Sequence, residues 1–239
     1  MEDQKAKICT ICHTELIGQY CHECGQKVTH KKLSLSTVLS DMMANIWSME
    51  GTVLATMIHL IKDPFKVINN YWLGNRNYYH SPGKLVFYCL FIAGLHFAFL
   101  GNTILGMKLT VTNNMSPQIG FLLFFFPLLL IASYVTYFRR GYSFLKHFVA
   151  VIYIFSCWSI IFIIFDDLVR WLFGNILGKI PLLLFPIVLF VWIARIFSKR
   201  KKWSMILLNA MLNLLVYIVV TTIIVVALYF ISPQSVRRT

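Results

Sequence analysis

Four cysteines near the N-terminus have the residue type and spacing of a metal site. They form two CxxC pairs, Cys9 with Cys12 and Cys21 with Cys24, separated by 8 residues. Each pair can present two thiolates to one ion, and two pairs complete the tetrahedron of a structural Zn²⁺ site. Because four thiolates leave no open coordination position, such an ion holds the fold and does not catalyse. The sequence therefore predicts a small zinc ribbon within residues 1–32.

Polar residues inside long apolar stretches are a second group of candidates, because such residues often mark function in membrane helices. His96 lies mid-way along the first of these stretches. We expect it to make a hydrogen bond between helices, with a place at a lumen or subunit interface as the alternative. Asn209, Asn213, Tyr217 and Thr221 follow one another at intervals of four residues in the last stretch. Such a stripe either lines an aqueous lumen or joins helices and neighbouring subunits.

The elements that position these residues follow from composition. Of 239 residues, 58% are hydrophobic and 13% are charged, whereas soluble domains average about 45–50% apolar and about 25% charged residues. Lys and Arg number 22 against 9 acids, a formal net charge of +13. This excess favours the basic cytoplasmic loops of a membrane protein, with nucleic-acid binding as the alternative.

The polar, basic N-terminus lacks the apolar core of a cleavable signal peptide, so we expect none.

Five apolar stretches are long enough to cross a bilayer, which takes about 20 residues of helix. They lie at roughly 85–105, 119–138, 148–165, 180–197 and 205–231. On these bounds Asp166 and Asp167 follow the end of the third span, where they are candidates to bind a metal ion or a lipid headgroup. Basic loops alternate with weakly charged ones, which predicts a cytoplasmic N-terminus in the inner (plasma) membrane. Residues 85–239 are thus expected to form a transmembrane helical domain.

Residues 33–84 mix apolar and polar residues at helical spacing, which predicts two or three amphipathic helices. Asp63 and Pro64 suit the N-cap and the first position of a helix, and Gly74 suits its end. We expect these helices on the cytoplasmic face of the membrane or packed under the spans. A small soluble helical domain fits the pattern equally well.

Four basic residues of this segment are candidates for contact with lipid headgroups, since each Lys or Arg near an anionic surface contributes about 1 kcal/mol. They are Lys62, Lys66, Arg76 and Lys84.

The stretch GQYCHECGQK, followed by GTVLATMIHLIKDPFKVINNYWLGNRNYYHSPGKLVFYCLFIAG, resembles a bacterial membrane-protein family without an assigned activity. That family has a short YCxxCGQ zinc ribbon, a Pro-containing amphipathic segment, a GxRxxYxxP junction and several spans. The match covers about the first 100 residues and is carried by Tyr20, Cys21, Cys24, Gly25, Gln26, Gly51, Asp63, Pro64, Tyr71, Gly74, Arg76, Tyr79, Pro82 and Lys84. The resemblance implies an all-α polytopic membrane protein with a small zinc ribbon and amphipathic juxtamembrane helices. It implies no activity.

The sequence contains no HExxH, GxSxG or phosphate-loop motif, so we predict a non-enzymatic protein. The leading hypothesis is a homo-oligomeric pore or membrane-perturbing effector whose zinc ribbon docks a cytoplasmic protein or nucleic acid. By analogy with small membrane effectors, that role belongs to bacterial defence. The alternatives are a membrane scaffold or transport accessory that anchors a cytoplasmic partner, and a lipid-handling protein.

Overall fold

The computed structural model describes residues 9, 14, 15, 21, 23, 34–36, 53–74, 79–101, 103–108, 116–174, 180–198 and 202–231. Cys12, Cys24 and Arg76, and most of the segments 1–32 and 33–52, lie outside them.

The described chain is mostly α-helical. Its helices are α1 (Val53–Lys62), α2 (Pro64–Trp72), α3 (Pro82–Leu100), α4 (Pro117–Tyr137), α5 (Phe144–Phe173), α6 (Ile180–Phe197) and α7 (Trp203–Ile231). A short antiparallel hairpin, β1 (Thr103–Ile104) and β2 (Met107–Lys108), follows α3. One 3-10 turn, Phe138–Arg140, ends α4.

Five of the described helices, α3 to α7, have the length and apolar composition to cross a membrane. The expectation of a multi-pass, all-α membrane protein is therefore confirmed. The fourth of these, α6, remains helical through Pro186.

Two helices end at positions that differ from the approximate span bounds. The first span ends at Leu100 and does not continue to residue 105, because Gly101 takes a φ of 90° and the chain turns into the hairpin. The third span runs from Phe144 to Phe173, well beyond residue 165. Asp166 and Asp167 therefore lie within α5, near its C-terminal end, and Arg170 one turn later forms an ion pair with Asp166.

Helix α5 is the centre of the bundle. In the most apolar stretch of α5, 72% of the residues are buried inside the bundle, whereas in the corresponding stretch of α7 only 11% are buried. Aromatic rings fill the space around α5: the ring centroid of Phe155 lies 5.6 Å from that of Phe121 on α4 and 6.2 Å from that of Phe185 on α6. Ring centroids at these separations are typical of packed aromatic pairs in protein cores.

The junction between α1 and α2 has the capping chemistry expected from the sequence. The Asp63 side chain accepts a hydrogen bond from the Lys66 backbone N–H, and Pro64 is the first residue of α2. After α2, Gly74 takes a φ of 95°, a conformation that favours glycine. The expected break between the two helices is therefore confirmed.

Both short helices pack on the spans. Leu60 of α1 and Ile68 of α2 are fully buried, and α2 contacts α5 and α6. The N-terminal end of α1 lies beside the spans: Val53 and Met57 line an apolar groove with Ile92 of α3 and Ile164 of α5. Helix α1 therefore runs alongside α3 and α5 for part of their length.

Candidate functional site

A buried ionic cluster lies where α3 and α5 approach the hairpin. His96, in the penultimate turn of α3, is 2% exposed. Its Nδ1 lies 2.6 Å from Oδ1 of Asp167 on α5, and its Nε2 lies 2.8 Å from the carbonyl oxygen of Thr103 in β1. The hydrogen bond expected for His96 between helices is present, at the end of α3 and not mid-way along it.

These two contacts fix how many protons the pair holds. A carbonyl oxygen only accepts, so Nε2 of His96 must carry a proton. The contact between Nδ1 and the Asp167 carboxyl needs a second proton, which sits on the imidazole or on the carboxyl group. The pair is thus either an imidazolium with a carboxylate or a neutral imidazole with a carboxylic acid, and in both forms its net charge is zero.

A second ionic contact lies next to the first. The side chain of Asp166 is fully buried, and its Oδ2 accepts hydrogen bonds from Arg170 at 2.9 Å and from the Leu105 backbone N–H at 2.8 Å. Pairing is what allows a carboxylate to be buried at a span end, because an unpaired charge there costs several kcal/mol.

The hairpin closes the cluster through backbone and apolar contacts. Leu105 and Gly106 both have positive φ values, 48° and 76°, at the turn between β1 and β2. This is the pattern of a two-residue type I′ turn, where a leucine is unusual. Two contacts offset that strain: the side chain of Leu105 is fully buried, and its N–H is bonded to Asp166.

The cluster has the groups to bind and share a proton and to hold three elements together. Within the described ranges, no group of three or more His, Cys, Asp or Glu side chains is arranged to hold a metal ion. The metal-ion option for Asp166 and Asp167 thus finds no third ligand in this part of the chain.

Sequence reasoning missed this cluster as a unit. The spacing of Asp166 and Arg170 is the i, i+4 spacing of a helical ion pair, and it is the local signal that α5 continues. No local signal joins His96 to Asp167, because 71 positions separate them.

The polar stripe of α7 faces α4 and α6 of the same chain. Asn213 is fully buried, and its Oδ1 accepts a hydrogen bond from Thr136 of α4 at 3.3 Å. Tyr217 packs its ring against Phe190 of α6, and Thr221 donates to the Tyr217 carbonyl oxygen.

Asn209 joins the ends of several elements. Its Nδ2 donates to Ser198 at 2.9 Å, its Oδ1 accepts from Arg140 at 3.5 Å, and its carbonyl oxygen accepts from Tyr137. In a single chain, therefore, the stripe makes contacts between helices.

The predicted zinc ligands are only partly described. Cys9 and Cys21 are buried, and the Cys9 N–H donates to the Thr14 carbonyl oxygen at 2.8 Å. Cys12 and Cys24 lie outside the described residues, so the zinc site remains a prediction.

The four basic candidates for headgroup contact do not form one exposed cluster. Lys62 and Lys66 are exposed, but Lys84, in the first turn of α3, is only 6% exposed. A lysine buried in this way is not available to the membrane surface, which corrects the expectation for Lys84. Arg76 lies outside the described residues.

Comparisons with protein-family models, curated proteins and solved structures gave no match.

Proposed function

We propose that the chain is a non-enzymatic membrane anchor that holds an N-terminal zinc ribbon at the cytoplasmic face of the inner membrane. In this proposal the ribbon docks a cytoplasmic protein, which the spans keep at the membrane. This is the scaffold reading of the sequence.

The observation that carries the proposal is the attachment of the C-terminal end of α1 to α6. Arg195 of α6 donates to the carbonyl oxygens of Ile61 and Lys62 at 3.1 and 2.7 Å, and Trp192 donates to that of Ile61 at 3.3 Å. These donors satisfy carbonyl groups that the end of a helix leaves free. The junction holds α1, and with it the point where the preceding chain enters the bundle, at the end of a span, which is where an anchor for a cytoplasmic module needs a fixed attachment.

The interior of the bundle also supports an anchor. Aromatic and aliphatic side chains fill the space around α5, and Asn213 of the α7 stripe accepts a hydrogen bond from a neighbouring helix of the same chain. A conducting path would have to lie between several copies.

The anchoring junction can be tested with one substitution and a matched control. In Arg195→Gln, the planar guanidinium that reaches two carbonyl groups is lost, so limited proteolysis of residues 1–62 in sealed inside-out vesicles should be faster. Arg139→Gln removes an exposed cation from the end of α4 and should not change the rate. Equal rates in both variants would contradict the proposal.

The zinc ribbon has its own measurement. The purified full chain should carry about one Zn²⁺, since two CxxC pairs bind one ion. Cys21→Ser should lower the zinc content and expose the N-terminal residues to protease. Cys89→Ser, at a cysteine buried inside α3, should leave the zinc content unchanged. A zinc-free chain with a protease-resistant N-terminus would overturn this part.

A second candidate, the oligomeric pore or membrane-perturbing effector in bacterial defence, has one observation in its favour. Most of the surface of α7 is exposed and apolar, and a second copy as well as lipid can cover it. Mass measurement in nanodiscs, together with membrane potential in expressing cells, separates the two. A strictly monomeric chain that never depolarises the membrane excludes the pore.

A further inference from the structure

A half-open cavity of about 250 Å³ lies where α1, α2, α6 and α7 meet. Its lining residues are Lys62, Asp63, Pro64, Phe65, Arg195, Trp203 and Ile206. It sits at the last turn of α6 and the first turn of α7. Both helices are spans, so the cavity lies at the depth of a membrane interface.

The charged groups of the lining favour an anion. Two of them are cations, Lys62 and Arg195, and one is an acid, Asp63. The Asp63 carboxylate already accepts a hydrogen bond from the Lys66 N–H as the N-cap of α2.

Arg195 supplies a fixed positive charge to the wall. Its two terminal nitrogens donate to the end of α1, and its guanidinium carbon lies 5.1 Å from the ring centroid of Trp192 and 5.8 Å from that of Trp203. A cation held between two aromatic faces cannot easily move away from the cavity. Lys62 differs, because the residue is exposed and its long side chain can turn toward a bound oxygen.

The remaining wall is apolar or aromatic. Trp203 is 62% exposed, and Ile206 is buried at 5%. Trp is typical of membrane interfaces, where its ring lies among headgroups. The combination of fixed charge, mobile ammonium group and exposed indole matches a phosphate that has acyl chains attached.

We propose that this cavity binds the phosphate group of an anionic phospholipid. Lys62 donates to the phosphate oxygens, Arg195 contributes its fixed charge, and Trp203 packs beside the glycerol and upper acyl region. The proposal does not depend on the anchoring function or on the zinc ribbon.

The test uses the purified full chain in neutral detergent and a fluorescent short-chain phosphatidylglycerol as probe. The wild type should bind it more tightly than the phosphatidylcholine analogue. Lys62→Gln should weaken binding about fivefold, as expected for one basic residue near an anionic group. Arg139→Gln, which removes an exposed cation at another span end, should bind as the wild type does.

Each other outcome overturns the proposal. Equal binding of the two lipids would show that the cavity does not distinguish an anionic headgroup from a zwitterionic one. Equal loss in Lys62→Gln and Arg139→Gln would point to general surface charge. Displacement of the probe by an equal concentration of inorganic phosphate would identify a site for soluble phosphate and not for a lipid. Lys62 is exposed, so Lys62→Gln should fold, and thermal unfolding of both variants checks that each keeps its fold before binding is compared.

Discussion

At the scale of single residues, the pair of His96 and Asp167 joins two spans by a hydrogen bond. Both ring nitrogens of His96 are bonded, to Asp167 and to the Thr103 carbonyl oxygen. Loss of either partner leaves the other with an unmet hydrogen bond in a buried or half-buried position. The contributions of His96 and Asp167 to the free energy of unfolding should therefore depend on each other.

A double-mutant cycle measures that coupling. We expect His96→Gln and Asp167→Asn to destabilise the fold singly and to show a coupling of about 1 kcal/mol, in the range found between membrane helices. Unfolding in mixed micelles gives the free energies. Strictly additive losses would show that the 2.6 Å contact contributes nothing.

His80 provides a pH dependence outside the spans. Burial and the nearby Lys84 charge lower the pKa of His80 below its usual 6.5. The folded chain therefore binds a proton at this imidazole less readily than the unfolded chain does. Below pH 6.5 the unfolded chain takes up the proton first, so stability should fall as the pH drops from 6.5 toward the folded pKa.

Comparing variants isolates that effect. His80→Gln should lose less stability than the wild type between pH 7.5 and 5.5, since the group that resists protonation is gone. His59→Gln, at an exposed position of α1, serves as the control. An acid loss in His80→Gln as large as in the wild type would contradict the prediction.

At the scale of elements, two opposing effects act on Leu105 in the hairpin after α3: backbone strain and side-chain burial. A left-handed conformation costs a leucine about 1–2 kcal/mol, whereas burial of a leucine side chain contributes about 2–5 kcal/mol, judged by truncation. Burial exceeds strain, which explains why leucine stands in a position that favours glycine.

This balance predicts an unusual order of stability. Leu105→Gly loses the burial but also relieves the strain, whereas Leu105→Ala loses most of the burial and keeps the strain. The wild type should be the most stable and Leu105→Ala the least, by thermal unfolding. Alanine more stable than glycine here would indicate that the positive φ of 48° carries no strain.

Helix α1 gives a prediction about depth in the membrane. Leu54 is 70% exposed and Ile58 is 49% exposed on its outer face, and Lys62 follows at its C-terminal end. Because the N-terminal part lies beside α3 and α5, lipid should cover Leu54 but not Lys62. A membrane-impermeant maleimide should label Lys62→Cys and spare Leu54→Cys, relative to the unsubstituted chain.

Unfolding in SDS serves as the control, because both introduced cysteines should then react. Equal labelling in intact membranes would show that α1 lies in water along its whole length.

At the scale of the whole molecule, the features found from sequence are those with local causes. Span count follows from apolar length, and the break between α1 and α2 follows from Asp63 and Pro64, whose effects act within one turn. The contacts of His96 and of the α7 stripe depend on which helices become neighbours. Periodicity showed that Asn213 shares a face with Asn209 but not that Thr136 would meet it.

The unequal lengths of the spans bear on the lipids around the protein. At 1.5 Å per residue, the 30 residues of α5 reach about 45 Å and the 19 residues of α3 about 28 Å. The apolar part of α7, Trp203–Ala227, is also longer than α3. The apolar surface of the bundle, measured across the membrane, is therefore longer along α7 than along α3. Lipids with longer acyl chains should gather in the annulus beside α7 and shorter ones beside α3, so a membrane of mixed thickness would orient the protein laterally along the boundary between its thick and thin regions.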